Sequence, residues 1–257
     1  MKENETHVLE QPKLKNPVLI EGLPGLGLVG RLGAEHLVNE LQAKKFAELY
    51  SPDFPPQAQI MPDGTLRMRR NEFYYWKAEK KSQRDLIILV GDDQGLTVQS
   101  QYALCGSILD IAEEHGCRMI YTLGGYGMQR MAKEPRVFGA VTDKKMTKEF
   151  FKYGVEFEKV SGAIVGVAGL LLGLGQLRGM RGICLMGETH GNYIDPRAAK
   201  SVLRVVCESL DLKIKLDGLD KKASEVEEMI KRLENIQKAQ QPDVIPAADS
   251  KNLTYIR

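Results

Sequence analysis

Residues 17–30, PVLIEGLPGLGLVG, constrain the fold more than any other stretch of this chain. The apolar run Val18, Leu19, Ile20 reads as a buried strand that empties directly into a glycine-rich turn. Beyond the turn, Leu28, Val29, Leu32, Ala34, Leu37, Val38 and Leu41 recur mostly at three- and four-residue steps, as an amphipathic helix requires. Strand, tight turn and helix make the first half of a βαβ unit, so later strands are expected to lie beside the first.

Two readings of the turn stand side by side. Gly25, Gly27 and Gly30 match G-x-G-x-x-G after a strand and before a helix, the layout that lets a pyrophosphate approach backbone N–H groups. Glu48, in FAELY, lies at about the distance of the acidic residue that takes the ribose hydroxyls in such sites. The alternative is packing: glycine is chosen where φ is positive or where a helix and a strand leave no room for a Cβ. Pro24 and the leucines between the glycines suit a dry turn, with Gly22 at the end of the strand. No Gly-Lys-Ser/Thr follows, so the loop lacks the lysine of a Walker phosphate site.

The rest of the chain continues the alternation. Lys45 to Tyr50 reads as a strand, SPDFPPQ turns the chain, and Gln57–Met61 with Thr65–Arg69 form a hairpin signal around Asp63-Gly64. Glu72–Lys77 is an aromatic third strand of this excursion, which argues for a mixed sheet. Strands are expected at Asp85–Val90, Met119–Leu123, Val137–Val141 and Gly182–Met186. Helices are expected at Gln99–Glu114, Lys144–Tyr153, Ser161–Leu174 (fully buried and glycine-rich) and from Pro196 through Leu210. The pattern is an α/β, three-layer α/β/α sandwich with a mixed sheet.

Both ends differ from this core. Residues 1–16 are polar and read as a loosely held arm, residues 17–215 as the core domain and residues 216–239 as a C-terminal amphipathic helix. In that helix Leu219, Ala223, Val226, Ile230 and Leu233 step by four and three, a stripe that suits a coiled-coil seam and packing on the chain's own core equally well. Residues 240–257 carry two prolines and no periodicity, then the apolar-aromatic tip Leu253-Thr254-Tyr255-Ile256-Arg257. A sticky tip on a polar tether is the layout of a recognition peptide.

Composition bounds the function classes. A chain of 257 residues is ample for one sizeable α/β domain, and a net charge of +2 points to no nucleic-acid partner. Cys105, Cys117, Cys184 and Cys207 are scattered, without C-x-x-C pairs, as reduced core cysteines are. The N-terminus lacks the apolar core of a signal peptide, and the longest apolar run, Ala163–Leu174, is shorter than a membrane span. A soluble cytoplasmic protein without cofactor or metal is expected.

Three polar loops follow strands: Asp92-Asp93, Gly124-Gly125-Tyr126 and Gly187-Glu188-Thr189-His190-Gly191. Ligands of open α/β sheets bind beyond the strand C-termini, where Glu188 with His190 could act as acid and base and Asp92 with Asp93 could hold a hard metal. Neither G-x-S-x-G nor His-Glu-x-x-His is present, so no nucleophile or preformed zinc site supports catalysis. Capping and turn chemistry account for Asp92, Asp93 and Thr189.

GLPGLGLVG after the first strand, GGYG after a middle strand and GETHG after a late strand, in this order over residues 15–210, resemble the proteasome assembly chaperone 2 family, most of all its archaeal members. The resemblance implies a fold like that of purine nucleoside phosphorylases without their catalytic residues, no enzymatic activity, and homo-oligomers. In the family the chain resembles, some archaeal members bind the proteasome α-ring through C-terminal tails that end hydrophobic-Tyr-any, with the terminal carboxylate on a lysine of an inter-subunit pocket, and others use the tail to hold a different protein. Here Tyr255 is third from the end, which moves the carboxylate by up to ~3.5 Å along an extended chain. The expected function is therefore a non-enzymatic, ATP-independent chaperone or adaptor for assembly of the proteasome or a related complex. Leu253, Tyr255, Ile256 and Arg257 would dock into proteasome α subunits or another protein partner, and the glycine loops would be structural. The rivals are a nucleoside- or dinucleotide-binding enzyme using Gly25, Gly27 and Gly30, and an oligomeric scaffold for a non-proteasomal partner.

Overall fold

Apolar runs become strands and amphipathic runs become helices in the order the periodicity predicts, with additions at both margins. The computed structural model describes residues 1–129, 134–157 and 162–240. In chain order the elements are β1 (Glu5–Val8), β2 (Val18–Gly22), a 3-10 turn (Leu26–Leu28), α1 (Val29–Glu40), β3 (Lys44–Tyr50), β4 (Ala58–Ile60), β5 (Leu66–Met68) and β6 (Asn71–Trp76). They continue as β7 (Leu86–Gly91), α2 (Val98–Glu114), β8 (Met119–Gly127), β9 (Val137–Val141), α3 (Lys145–Phe151) and β10 (Val155–Glu156). The last are α4 (Val167–Leu177), β11 (Arg181–Thr189), α5 (Pro196–Leu210) and α6 (Asp217–Gln240).

Among the described residues, nine strands form one mixed sheet in the order β1-β3-β6-β7-β2-β8-β11-β9-β10. Its centre, β7-β2-β8-β11, is parallel, and the β1-β3-β6-β7 side is antiparallel. Side chains alternate between two cores: Val18 and Ile20 face α1 and α5, whereas Leu19 faces α2 and α4. Helices on both faces of the sheet make three layers. Local chemistry fixes the helix starts. Thr97 Oγ1 accepts from Ser100 N–H at 3.1 Å while Ser100 Oγ accepts from Thr97 N–H at 2.9 Å, a capping box for α2. Asp195 caps α5, accepting from Ala198 N–H at 2.9 Å, with Pro196 at the first helical position.

Four expectations are corrected. The N-terminal segment is not a loose arm: β1 pairs antiparallel with β3, and Lys15 N–H donates to Asp85 at 2.6 Å. The hairpin β4-β5 forms a small sheet of its own, and only β6 of that excursion joins the main sheet. The helix expected from Ser161 starts at Val167 instead, after glycines at φ 130° (Gly162) and 93° (Gly166), and its outer side is exposed at Gly173 and Leu177. Most consequential, Gly124-Gly125-Tyr126 and Gly187-Glu188-Thr189 are not loops; they pair with each other as the parallel ends of β8 and β11.

The C-terminal helix divides along its length. Leu219 and Ala223 are buried against the core, and Lys200 of α5 binds Asp220 at 2.6 Å. Further along, Met229 and Leu233 are 63% and 41% exposed. Packing on the chain's own core therefore holds for the first half of the stripe.

Candidate functional site

The three glycine motifs meet at one junction. A Cβ on Gly30 would lie 2.1 Å from the carbonyl oxygen of Leu123, and one on Gly22 2.4 Å from Ala34 Cβ, so α1 rests directly on β2 and β8. A Cβ on Gly125 would meet the carbonyl of Leu26 at 2.4 Å, and one on Gly187 the carbonyl of Ala198 at 2.8 Å. Gly191, at φ 77°, carries the Leu26 side chain above it. Gly27 (φ 62°) and Leu28 (φ 51°) are consecutive left-handed residues that swing the chain into α1.

This packing occupies two N–H groups of the turn and ties its Gly27 carbonyl to the start of α5. Leu28 N–H donates to Gly25 O at 2.9 Å, Val29 N–H turns back to Leu26 O, and Gly27 O accepts from Asp195 N–H at 2.9 Å. Glu48 is on β3, separated from β2 by β6 and β7, and its carboxylate is engaged by Lys45 at 2.5 Å, Arg70 at 3.2 Å and the Tyr50 hydroxyl at 2.8 Å. A ribose-binding acid sits on the strand next to the first, so Glu48 does not take that role.

The other polar candidates are likewise engaged. Arg67 binds Asp92 at 2.5 Å, Arg31 reaches it at 3.5 Å, and Arg69 binds Asp93. Glu188 is fully buried and its carboxylate accepts from Arg136 Nη2 at 2.8 Å and Nε at 3.1 Å, while His190 is exposed. Thr189 Oγ1 accepts from Gly191 N–H at 3.1 Å. Among the described residues no group of three or more His, Cys, Asp or Glu is arranged for a metal. The four cysteines are free and buried, and burial pushes the thiols of Cys105, Cys184 and Cys207 up to about 12.

Two recesses flank the junction. On the inner side, a cavity of about 340 Å³ lies under Gly25, Leu26, Gly124 and Gly125, with Glu21 and Cys184 in its wall. The signal for Glu21 was a lone carboxylate inside an otherwise apolar strand. On the outer side, Tyr193, Ile194 and Leu28 face Val226, Met229, Ile230 and Leu233 of α6 across an apolar groove of about 390 Å³. Gly25 touches both recesses. The tip residues Leu253, Tyr255, Ile256 and Arg257 lie outside the described residues.

With strand order and junction in view, the comparison with known proteins is direct. A model of the PAC2 family matches residues 19–234. The chain belongs to the PAC2 family. Within it, an uncharacterized protein of Methanocaldococcus jannaschii is 41% identical over 238 residues, 93% of this chain and 89% of that one. The crystal structure of Pyrococcus furiosus PbaB, an archaeal proteasome activator, matches with a TM-score of 0.87 and 46% identity, covering 91% of this chain and 100% of that one. Pyrococcus furiosus PbaA, an archaeal homolog of proteasome-assembly chaperone, matches at 0.74 and 29% identity, covering 91% and 94%. No described helix of this PAC2 family chain is long and apolar enough to cross a membrane.

Proposed function

We propose that this chain is a non-enzymatic, ATP-independent, homo-oligomeric adaptor that binds the proteasome α-ring and acts in its assembly or activation. The likeness to PbaB over nearly the whole chain carries this reading. The body supplies the oligomer: the stripe Val226, Met229, Ile230 and Leu233, exposed at Met229 and Leu233 and half-buried at Val226 and Ile230, pairs with the same stripe of a second copy, as its four-and-three spacing between charged residues suits. The residues that follow α6 carry the tip, Leu253, Tyr255, Ile256 and Arg257, out to the partner. Several weak tips on one oligomer gain avidity, on the order of 10²–10⁴ over a single one, where their tethers span the pockets.

Co-elution of the purified full-length protein with reconstituted proteasome α-rings in size-exclusion chromatography tests the reading. A shared peak is expected, with no thermal shift on adding NAD, ATP or nucleosides at millimolar concentration. A nucleotide-dependent shift without co-elution would favour the enzyme instead, because a ligand selective for the folded state raises its stability by mass action.

A further inference from the structure

The proposed function makes no use of the inner cavity, which has the attributes of a ligand site. Glu21 is 1% exposed at the end of the central strand β2. Its Oε1 accepts from Leu23 N–H at 2.8 Å, and among the described residues no donor reaches Oε2. Buried polar atoms in native proteins are almost always paired, so an orphaned carboxyl oxygen in the wall of a cavity calls for an absent donor.

The position in the sheet is also that of a ligand site. The chain leaves β2 for α1 on one face and leaves the adjacent β7 for α2 on the other, which opens a crevice beyond the strand ends. Gln94, just after β7, spans this crevice: its Nε2 donates to Pro24 O, and its Oε1 accepts from Val167 N–H at 2.9 Å. The remaining wall is largely apolar, from Leu26, Leu123, Ile164 and Met186. At about 340 Å³ the cavity is at the small end of organic-ligand pockets.

We propose that this cavity binds a small organic cation, an amine or amidine whose N–H groups satisfy Glu21 Oε2 while its apolar body rests on Leu26, Ile164 and Met186. The sign follows from the wall: among the described residues lining it, Glu21 is the one carboxyl group and there is no lysine or arginine to receive an anion. The other titratable groups nearby are Cys105 of α2, Cys184 of β11 and Tyr126 of β8. The two thiols, held at about 12, stay neutral at physiological pH and leave Glu21 to set the charge. Desolvation holds the Glu21 carboxyl up at about 7.

Isothermal titration of the full-length protein with benzamidine, which is cationic throughout, tests this at pH 5.5 and pH 8.5, with uncharged benzyl alcohol as control. Ionisation of a group at about 7 predicts affinity for benzamidine roughly thirtyfold higher at pH 8.5, and none of this change for benzyl alcohol. Glu21→Gln, close in shape, should weaken benzamidine at least tenfold at pH 8.5 while circular dichroism shows an unchanged fold. Absence of benzamidine heat at either pH, or binding that neither rises with pH nor depends on Glu21, would overturn the proposal; the pH comparison needs no variant.

Discussion

A methyl group at residue 30 would be driven 2.1 Å from the Leu123 carbonyl oxygen, backbone against backbone, with no flexible side chain to give way. Gly30→Ala should therefore cost about 3 kcal/mol or more in urea denaturation, at the upper end of overpacking effects, whereas a dinucleotide-loop glycine would lose ligand affinity first. Glu21 acts oppositely. Burial raises its carboxyl from 4.5 to about 7, so the folded state favours the protonated form. Its stabilising contribution is fully present below pH 4.5 and is lost as pH rises through about 7, a change of about 3 kcal/mol. Urea denaturation of Glu21→Gln at pH 4.5 and pH 8 should show the variant gaining stability relative to the parent by up to about that amount at the higher pH. An equal difference at both pH values would mean that Glu21 is not held protonated. The residue scale also shows what the sequence hid: Glu21 holds a buried carboxyl oxygen without a donor among the described residues, yet in PVLIEGL it is only a charge interrupting an apolar run.

At the scale of elements, β2-α1, β7-α2 and β11-α5 were legible because their signals are local: apolar runs, helical periodicity and a proline at the first turn. What escaped was pairing between distant segments. Nothing within GGYG marks it as strand; β11 alongside supplies the hydrogen-bond partners that extend β8 to Gly127. Likewise β1 exists because β3 offers an edge, and the strand order that removes Glu48 from the glycine loop is absent from any local pattern. For α6 the sequence permitted two packings, and its first half takes the packing on the chain's own core. On the proposed homo-oligomeric reading, replacing the exposed Met229 and Leu233 together by aspartate should dissociate the protein to monomers in analytical ultracentrifugation and leave the melting of the body nearly unchanged, since both lie beyond the buried Leu219 and Ala223. A variant that keeps the parent's mass would place the subunit interface elsewhere.

Across the whole molecule, the glycine motifs close-pack α1, β8, β11 and α5 around one junction, leaving an apolar helix face on one side and a cavity on the other. On this account the body sets how many tails are presented and the tails supply the contact, so binding and folding should be separable. The shifted Tyr255 makes that separation informative, because the account requires a pocket to accept a tyrosine third from the end. The most direct measurement is surface plasmon resonance of the full-length protein, and of a version ending at residue 250, over immobilised proteasome α-rings. Saturable binding by the full-length protein is expected, with a loss of at least 100-fold on removing the tail, in line with lost avidity of about 10²–10⁴, and thermal melting unchanged. Equal binding by both versions would contradict the tail's role, and no binding by either would contradict the proteasome as partner.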